Sequence, residues 1–211
     1  MLLPIVVVAM LLLVAGGWWT FAMFAWLAWE RRFQSPALRA RIEKGGSASS
    51  TGLADVVIFG LPMVIPAVLA FDGLLLVGLF LYVPAWTFPL PEPALFQLLG
   101  SVLLFSGLIL FTAGAYLTGR YVYSKLPEER PLLQRGPFRY VRHPIYLSFL
   151  LIGTGFVLLA MNVLVLLCLS LFVNVKGWNH EEAELERLYG DRYREYRTRT
   201  GAFLPRLRPR N

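Results

Sequence analysis

Long apolar stretches separated by short polar segments dominate the chain. Residues 2–29 and 94–116 are almost wholly apolar, residues 53–88 are apolar but contain three prolines, and residues 144–175 are apolar with one polar interruption. A helix needs about 20 apolar residues to cross a bilayer, and 2–29 and 94–116 each reach that length. The pattern predicts an all-α integral membrane protein.

The basic loops decide between five spans and six. Residues 30–44 and 120–142 are rich in Lys and Arg, and such loops stay on the cytoplasmic side. Both can do so only if residues 53–119 cross the membrane an even number of times. Because 94–116 is one crossing, 53–88 supplies an odd number, as one crossing plus a re-entrant or interfacial piece. We therefore expect about five transmembrane helices and an external N-terminus.

The C-terminal part predicts a helical hairpin followed by a polar tail. The apolar stretch 144–175 is interrupted near Asn162, where we place the tip of the hairpin. After it, apolar and aromatic residues recur at helical spacing from Leu185 to Tyr196, which predicts an amphipathic cytosolic helix on the membrane surface or across the site. Gly190 is suited to end one helical piece before the next.

The chain is expected to form a single membrane domain, 1–211. Its N-terminal transmembrane helices occupy 1–119, and its chemistry is expected in 120–211.

The composition is typical of a membrane protein and argues against both a disulfide within the chain and a Cys/His metal site. The chain has 211 residues, 57% of them hydrophobic and only 16% charged, whereas soluble domains are nearer half apolar and a quarter charged. The net charge of +7 follows from cytoplasmic basic loops, so no nucleic-acid partner is predicted. Cys168 is the only cysteine and the histidines number two, so neither a disulfide within the chain nor a Cys/His metal site is expected.

Two features of the apolar stretches predict how they pack. Trp18, Trp19, Trp26 and Trp29 fit an aromatic belt at a membrane interface. Helix 94–119 is rich in Gly and Ser, with Ser106-Gly107 as the best candidate for close contact with another helix. Ordinary membrane composition explains these small residues equally well.

A polar and aromatic cluster stands directly before the hairpin, in Gly136–Ser148. Pro144 is suited to the first position of a helix, whose positive end then lies at His143 and favours an anionic ligand group. Phe138, Tyr140 and Tyr146 add flat faces on which a purine could stack.

A second cluster, His180-Glu181-Glu182, follows the hairpin. The hairpin returns it to the side of the membrane on which Arg142 and His143 lie, and its two carboxylates could hold a cationic group or ribose hydroxyls. A structural alternative is that Arg139 and Arg142 anchor the membrane interface or form ion pairs with the two glutamates.

These motifs resemble the isoprenylcysteine carboxyl methyltransferase family, within a wider group that includes phospholipid N-methyltransferases. The resemblance covers about the last 75 residues. It is carried by residues 136–146 (Gly-Pro-Phe-Arg-Tyr-Val-Arg-His-Pro-Ile-Tyr), Gly153-Thr-Gly155, Asn162, 181–190 (Glu-Glu-Ala-Glu-Leu-Glu-Arg-Leu-Tyr-Gly), Tyr193, Tyr196 and 203–205 (Phe-Leu-Pro).

The resemblance implies a methyltransferase that uses S-adenosylmethionine at the cytosolic face and takes a lipophilic acceptor from the bilayer, between helix 94–119 and the hairpin. The implied cofactor-binding residues are Gly136, Tyr140, Arg142, His143, Pro144, Tyr146, Glu181 and Glu182. The candidate catalytic residues are Arg142, Glu182 and His180; if the acceptor is an amine or a thiol, His180 or Glu182 would act as the base. Gly153-Thr-Gly155 would let the cofactor or helix 94–119 approach closely.

Two departures from the family pattern leave the acceptor open. Ser148 stands where the family usually has Gly, and Lys176 stands near the position at which family carboxyl methyltransferases carry an Arg. Lys176 lacks the bidentate fork that holds a carboxylate, so a prenylcysteine-like carboxylate, a lipid amine and a thiol all remain candidate acceptors.

Two other functions are compatible with the sequence. Membrane sterol reductases have a similar Arg-His-Pro region and bind NADPH, but they usually carry Asn where this chain has Ile145. The third possibility is a non-catalytic membrane protein of the same fold.

Overall fold

The computed structural model describes residues 3–43, 92–126, 129–161 and 177–206, and these residues are helical throughout their regular parts. The helices are α1 (Ile5–Arg32), α2 (Pro36–Glu43), α3 (Pro93–Thr118), α4 (Pro144–Ala160), α5 (Gly177–Tyr189) and α6 (Asp191–Arg199). A π-helical turn (Gly119–Tyr123) extends α3, and a 3₁₀ turn (Gly136–Arg139) precedes α4. The described part contains no strand, only an isolated bridge between Val141 and Gly201. The predicted all-α class is confirmed.

Two helices are long and apolar enough to cross a membrane. They are Val6–Trp26, within α1, and Pro93–Tyr123, which joins α3 to its π-helical turn; the shorter α4 is also apolar. Large apolar side chains on α1 and α3 are exposed, as lipid-facing positions require: Val6, Met10, Leu13, Phe21, Leu95, Val102 and Ile109. These helices fit an integral membrane protein. Residues 53–88 and 163–175 lie outside the described part of the chain, so five spans stay a prediction.

The basic segment 30–44, expected to be a loop, is mostly helical. The first helix continues to Arg32, and α2 begins at Pro36 after only three intervening residues. The Ser35 hydroxyl accepts a hydrogen bond from the Leu38 backbone N–H (3.2 Å), which is the geometry of a helix N-cap. Pro36 begins α2 at a position where its missing N–H costs nothing. The Ser35-Pro36 pair therefore begins a short polar helix in a segment that was expected to be a loop.

Glycines form the contact between α3 and α4. A Cβ atom added to Gly107 would lie 2.7 Å from the Ile152 side chain, and one added to Gly155 would lie 2.6 Å from the carbonyl oxygen of Gly100. The predicted close approach is therefore confirmed for Gly107 and for the 153–155 segment, whereas Ser106 is exposed. The two backbones touch, so an acceptor does not pass between α3 and α4 at this contact; the second limb of the predicted hairpin lies outside the described residues, and an entry path between α3 and the hairpin stays a prediction.

The first helix packs on α3 through tryptophans that the belt prediction placed at an interface. Trp19 is only 4% exposed and its ring centroid lies 4.8 Å from that of Phe111. Trp18 donates a hydrogen bond from its indole nitrogen to the Thr112 hydroxyl (3.1 Å). The belt interpretation is therefore wrong for Trp19, which is a core residue, because its ring is needed to fill the space between α1, α3 and α4.

A buried amide joins the same three helices at their other end. The Gln97 side chain is fully buried; it accepts a hydrogen bond from the Leu3 backbone N–H (2.7 Å) and donates one to the Leu159 carbonyl (3.0 Å). In an apolar environment an unsatisfied amide is costly. Both polar ends of Gln97 are thus used to hold the start of α1 and the end of α4 against α3.

The glycine contact predicts that Gly155→Ala destabilises the protein. The new methyl group would collide with backbone atoms of α3, which cannot move aside as a side-chain end can, and overpacking of this kind costs about 1–3 kcal/mol. Thermal unfolding of the detergent-purified protein should show a lower midpoint. Gly17→Ala is the matched control, because nothing lies within 4 Å of a Cβ at that position of α1; an equal loss in both variants would contradict the tight contact.

Candidate functional site

The first predicted cluster lies at the start of α4, as its proline indicates. Pro144 is the first helical residue and His143 is the residue that precedes it. Arg142, His143 and Pro144 are all buried, although they lie at the end of the helix where polar groups usually face water. Their burial means that other parts of the chain must cover them.

The C-terminal segment supplies one of these covers through its backbone. Val141 and Gly201 form a parallel bridge. The Arg142 N–H donates to the Gly201 carbonyl (2.8 Å), and the His143 N–H donates to the Ala202 carbonyl (3.1 Å). The two residues that carry the cluster are therefore held by main-chain hydrogen bonds to residues nearly 60 positions later.

The carboxylate of Glu182 joins the two predicted clusters. Its Oε1 atom accepts hydrogen bonds from Nε and Nη2 of Arg142, at 2.9 and 2.7 Å. The same oxygen lies 3.0 Å from Nε2 of His143, which must carry the proton because a carboxylate only accepts. The remaining Arg142 nitrogen, Nη1, donates to the Thr200 carbonyl. The glutamates therefore lie beside Arg142 and His143, as predicted, while the second limb of the hairpin that was expected to bring them there lies outside the described residues.

The surroundings of Glu182 favour its ionised form. Burial by itself would raise the pKa of this carboxyl group, but the hydrogen bonds and positive charge of Arg142 and the hydrogen bond from His143 outweigh burial and lower the pKa from its usual 4.5. Arg197 adds a more distant guanidinium, whose Nε lies 3.8 Å from Oε2. At neutral pH Glu182 is therefore a carboxylate that is fixed in place.

The neighbouring Glu181 is in a different environment. Its side chain is 49% exposed, against 10% for that of Glu182, and its Oε2 lies 3.8 Å from Nδ1 of His143. The Tyr146 ring packs edge-on against the imidazole of His143, with centroids 5.7 Å apart. Glu181 and Tyr146 thus form the accessible side of a cluster, next to the buried imidazole of His143, and Arg142 and Glu182 form its inner side.

Two tyrosines of α6 complete the frame around the cluster. Tyr196 donates a hydrogen bond from its hydroxyl to the Phe138 carbonyl (2.5 Å), within the 3₁₀ turn. Tyr193 is fully buried, and burial together with the negative charge of Glu182 raises its pKa to about 12. Through these two tyrosines the end of the amphipathic segment lies across the site, which is one of the two placements predicted for it.

The structure brings together only part of the predicted site. Its cluster contains Arg142, His143, Pro144, Tyr146, Glu181 and Glu182. Tyr140 is 60% exposed, and Gly136 starts the 3₁₀ turn with φ +55°; neither joins the hydrogen-bonded cluster. The His180 side chain and Lys176 lie outside the described part of the chain.

Sequence reasoning missed the segment Thr200–Ala202 and also Arg197. The segment contributes main-chain carbonyls, and the pattern of side chains in a sequence does not predict where such carbonyls will lie. Arg197 lies on the helix that carries Tyr193 and Tyr196, four positions after Tyr193, and helical residues three or four apart share a face. That spacing was a signal that could have placed Arg197 beside the site.

Residues 94–186 match the family model of the isoprenylcysteine carboxyl methyltransferase (ICMT) family. No curated protein and no solved structure matches the chain. The match confirms the resemblance noted in the sequence, but with different bounds: it begins at the start of α3 and ends within α5. It includes both clusters and supports a membrane methyltransferase.

The geometry predicts that Glu182→Gln destabilises the protein. The variant leaves Arg142 buried without its carboxylate partner, and hydrogen bonds to charged groups contribute about 1.5–3 kcal/mol each. We expect a lower unfolding midpoint at pH 7 than for Glu184→Gln, a control at an exposed position of the same helix.

The pH dependence separates this ion pair from a general packing defect. A lowered pKa means that the contribution of Glu182 is fully present above about pH 4.5 and is lost as the pH falls through the lowered value. The difference between the wild type and Glu182→Gln should therefore narrow as thermal unfolding is measured at progressively lower pH. A difference that stays constant into acid would show that the charge of Glu182 is not responsible.

Proposed function

We propose that this chain, whose residues 94–186 match the ICMT family, is an S-adenosylmethionine-dependent methyltransferase that acts on a lipophilic acceptor in the membrane. The observation that carries the proposal is the junction at Glu182. One carboxylate connects the polar residues before α4 with those of α5, so two clusters 40 residues apart form a single site at the end of an apolar helix.

The two glutamates have different roles in this proposal. Glu182 is a positioning residue, since its Oε1 atom is already engaged by Arg142 and His143. Its lowered pKa also makes it a poor general base. Glu181 is the residue that faces the ligand, because about half of its side chain is accessible and it lies beside His143.

The residues on the accessible side fit a cofactor that is zwitterionic and carries a purine. When bound, S-adenosylmethionine supplies a methyl group activated by its positive sulfur. The start of α4, next to His143, suits the carboxylate of the cofactor. Glu181 offers an acceptor for its ammonium group or ribose hydroxyls, and Tyr146 offers an aromatic face. Gly136 and Tyr140 remain candidates for the outer part of the binding site.

The acceptor determines whether a base is needed. If the acceptor is a carboxylate, it and the methyl donor both lose charge in the transition state, so a site of low dielectric constant favours the reaction without a base. If it is an amine or a thiol, His180 is the better candidate base, because Glu182 is held as an ion pair.

We place the cofactor on the cytosolic side of a multi-pass membrane protein. The acceptor reaches the site from the bilayer by a path other than the closed contact between α3 and α4. A prenylcysteine-like carboxylate and a lipid amine or thiol remain the acceptor classes to test.

Calorimetric titration of the purified protein tests the proposal directly. We expect S-adenosylmethionine and its demethylated product to bind and NADPH not to bind. The opposite result would favour a reductase, and binding of none of the three would contradict the methyltransferase assignment. Incubation of membranes with labelled methyl donor, followed by mass analysis of the product, would then identify the acceptor.

A second titration tests the division of roles between the glutamates. Glu181→Gln removes a charged acceptor from the accessible side, so S-adenosylmethionine should bind about tenfold more weakly or worse, while the unfolding midpoint stays near that of the wild type. Glu184→Gln, at an exposed position of the same helix, is the control and should bind normally. Unchanged affinity in Glu181→Gln would remove this residue from the site.

A further inference from the structure

A polar groove with a volume of about 550 Å³ opens beside the Arg142–Glu182 cluster. Gln134 and Arg139 line it from the segment that precedes α4, and Arg192, Glu195 and Arg199 line it from α6. The volume lies in the range of small-ligand sites. These five side chains have no part in the proposed methyl transfer.

The groove is positively charged and only partly neutralised. Three guanidinium groups face one carboxylate, that of Glu195, whose Oε1 lies 2.5 Å from Nη2 of Arg199. Arg139 and Arg192 make no ion pair with any residue in the described part of the chain. Two guanidinium groups from different segments therefore line one groove without an ion-pair partner in the described part of the chain, an arrangement suited to a phosphate group.

The groove is held in shape by contacts that it shares with the site. Its remaining lining residues are Tyr196 and Thr200, both buried. The Tyr196 hydroxyl is fixed by the Phe138 carbonyl, and the Thr200 carbonyl is fixed by Arg142. These hydrogen bonds hold α6 and the segment before α4 together, so the groove keeps its shape without a bound ligand.

The position of the groove identifies the source of the anion. Arg139 stands five residues before Pro144, where the apolar helix α4 begins. The hydrogen bonds at Phe138 and Arg142 hold α6 against this same short segment. The groove thus lies beside the polar segment that leads into the apolar helix α4; in a membrane protein such a segment meets the lipid headgroups, where lipid phosphates are the most concentrated anions.

We propose that this groove binds the phosphate group of an anionic phospholipid. A bound phospholipid would hold α6 at the membrane surface and would stabilise the hydrogen bonds that join α6 and Thr200 to the segment containing Arg142. The proposal is independent of methyl transfer, since it requires only the groove and an anionic bilayer.

The test uses the full chain purified in an uncharged detergent and titrated with phosphatidylglycerol or phosphatidylcholine. A ligand that binds only the folded state raises the unfolding midpoint, so phosphatidylglycerol should raise it more than phosphatidylcholine does. Added salt should weaken the effect by screening. Inorganic phosphate is titrated in parallel to separate a lipid from a free anion.

The decisive variants are Arg192→Gln and the double variant Arg139→Gln/Arg192→Gln, which remove guanidinium groups that hold no ion pair within the described residues. The double variant should weaken the apparent affinity for phosphatidylglycerol about tenfold or more. Arg194→Gln is the matched control: it removes the same charge from an exposed position of the same helix that does not line the groove, and it should respond as the wild type does.

Three outcomes would overturn the proposal. The first is an unchanged response to phosphatidylglycerol in both groove variants, and the second is an equal loss in Arg194→Gln, which would indicate general surface charge. The third is a shift of the same size with inorganic phosphate alone, which would make the site one for a free anion.

Discussion

The hydrogen bonds at Oε1 of Glu182 join α5 to the residues directly before α4, which lie 40 positions earlier in the chain. Arg142 and His143 end the loop before α4, and Glu182 lies on a helix that follows the predicted hairpin. Removing such charges from water is costly, and a buried ion pair is tolerated only when its geometry is good and its other polar atoms are satisfied. Here Arg142 also donates to the Thr200 carbonyl, so the C-terminal segment is needed as well.

The position of this junction depends in turn on how α4 is held in the membrane. Gly107 and Gly155 let α4 lie directly against α3, and Gln97 fixes its far end through the Leu159 carbonyl. Without a hydrophobic driving force between helices in lipid, close packing and hydrogen bonds of this kind determine the arrangement. Because α4 is packed along its length, His143 at its start has a fixed position. The methyl-transfer site proposed here is therefore built on a rigid element and closed by a short polar tail.

Local sequence signals predicted the elements that depend on local physics. Apolar length predicted α1 and α3, Pro144 predicted the start of α4, and Gly190, with φ +53°, separates α5 from α6 as expected. The same signals failed where packing decides. Trp19 was assigned to the membrane interface because tryptophan is frequent there, yet it packs against Phe111 and is buried in the core. The short helix α2 was taken for a loop because its polar composition gives no periodic apolar face.

The sequence by itself determined which chemical groups are present, and it predicted that the two polar clusters would lie together. Only the tertiary structure decided what each group does there. Glu181 and Glu182 are adjacent and chemically identical, but successive residues of a helix point about 100° apart. One carboxylate therefore meets Arg142 in the interior, whereas the side chain of the other is 49% exposed. Similarly, Thr200 to Ala202 act through backbone carbonyls, whose positions depend on the whole fold and on no property of their side chains.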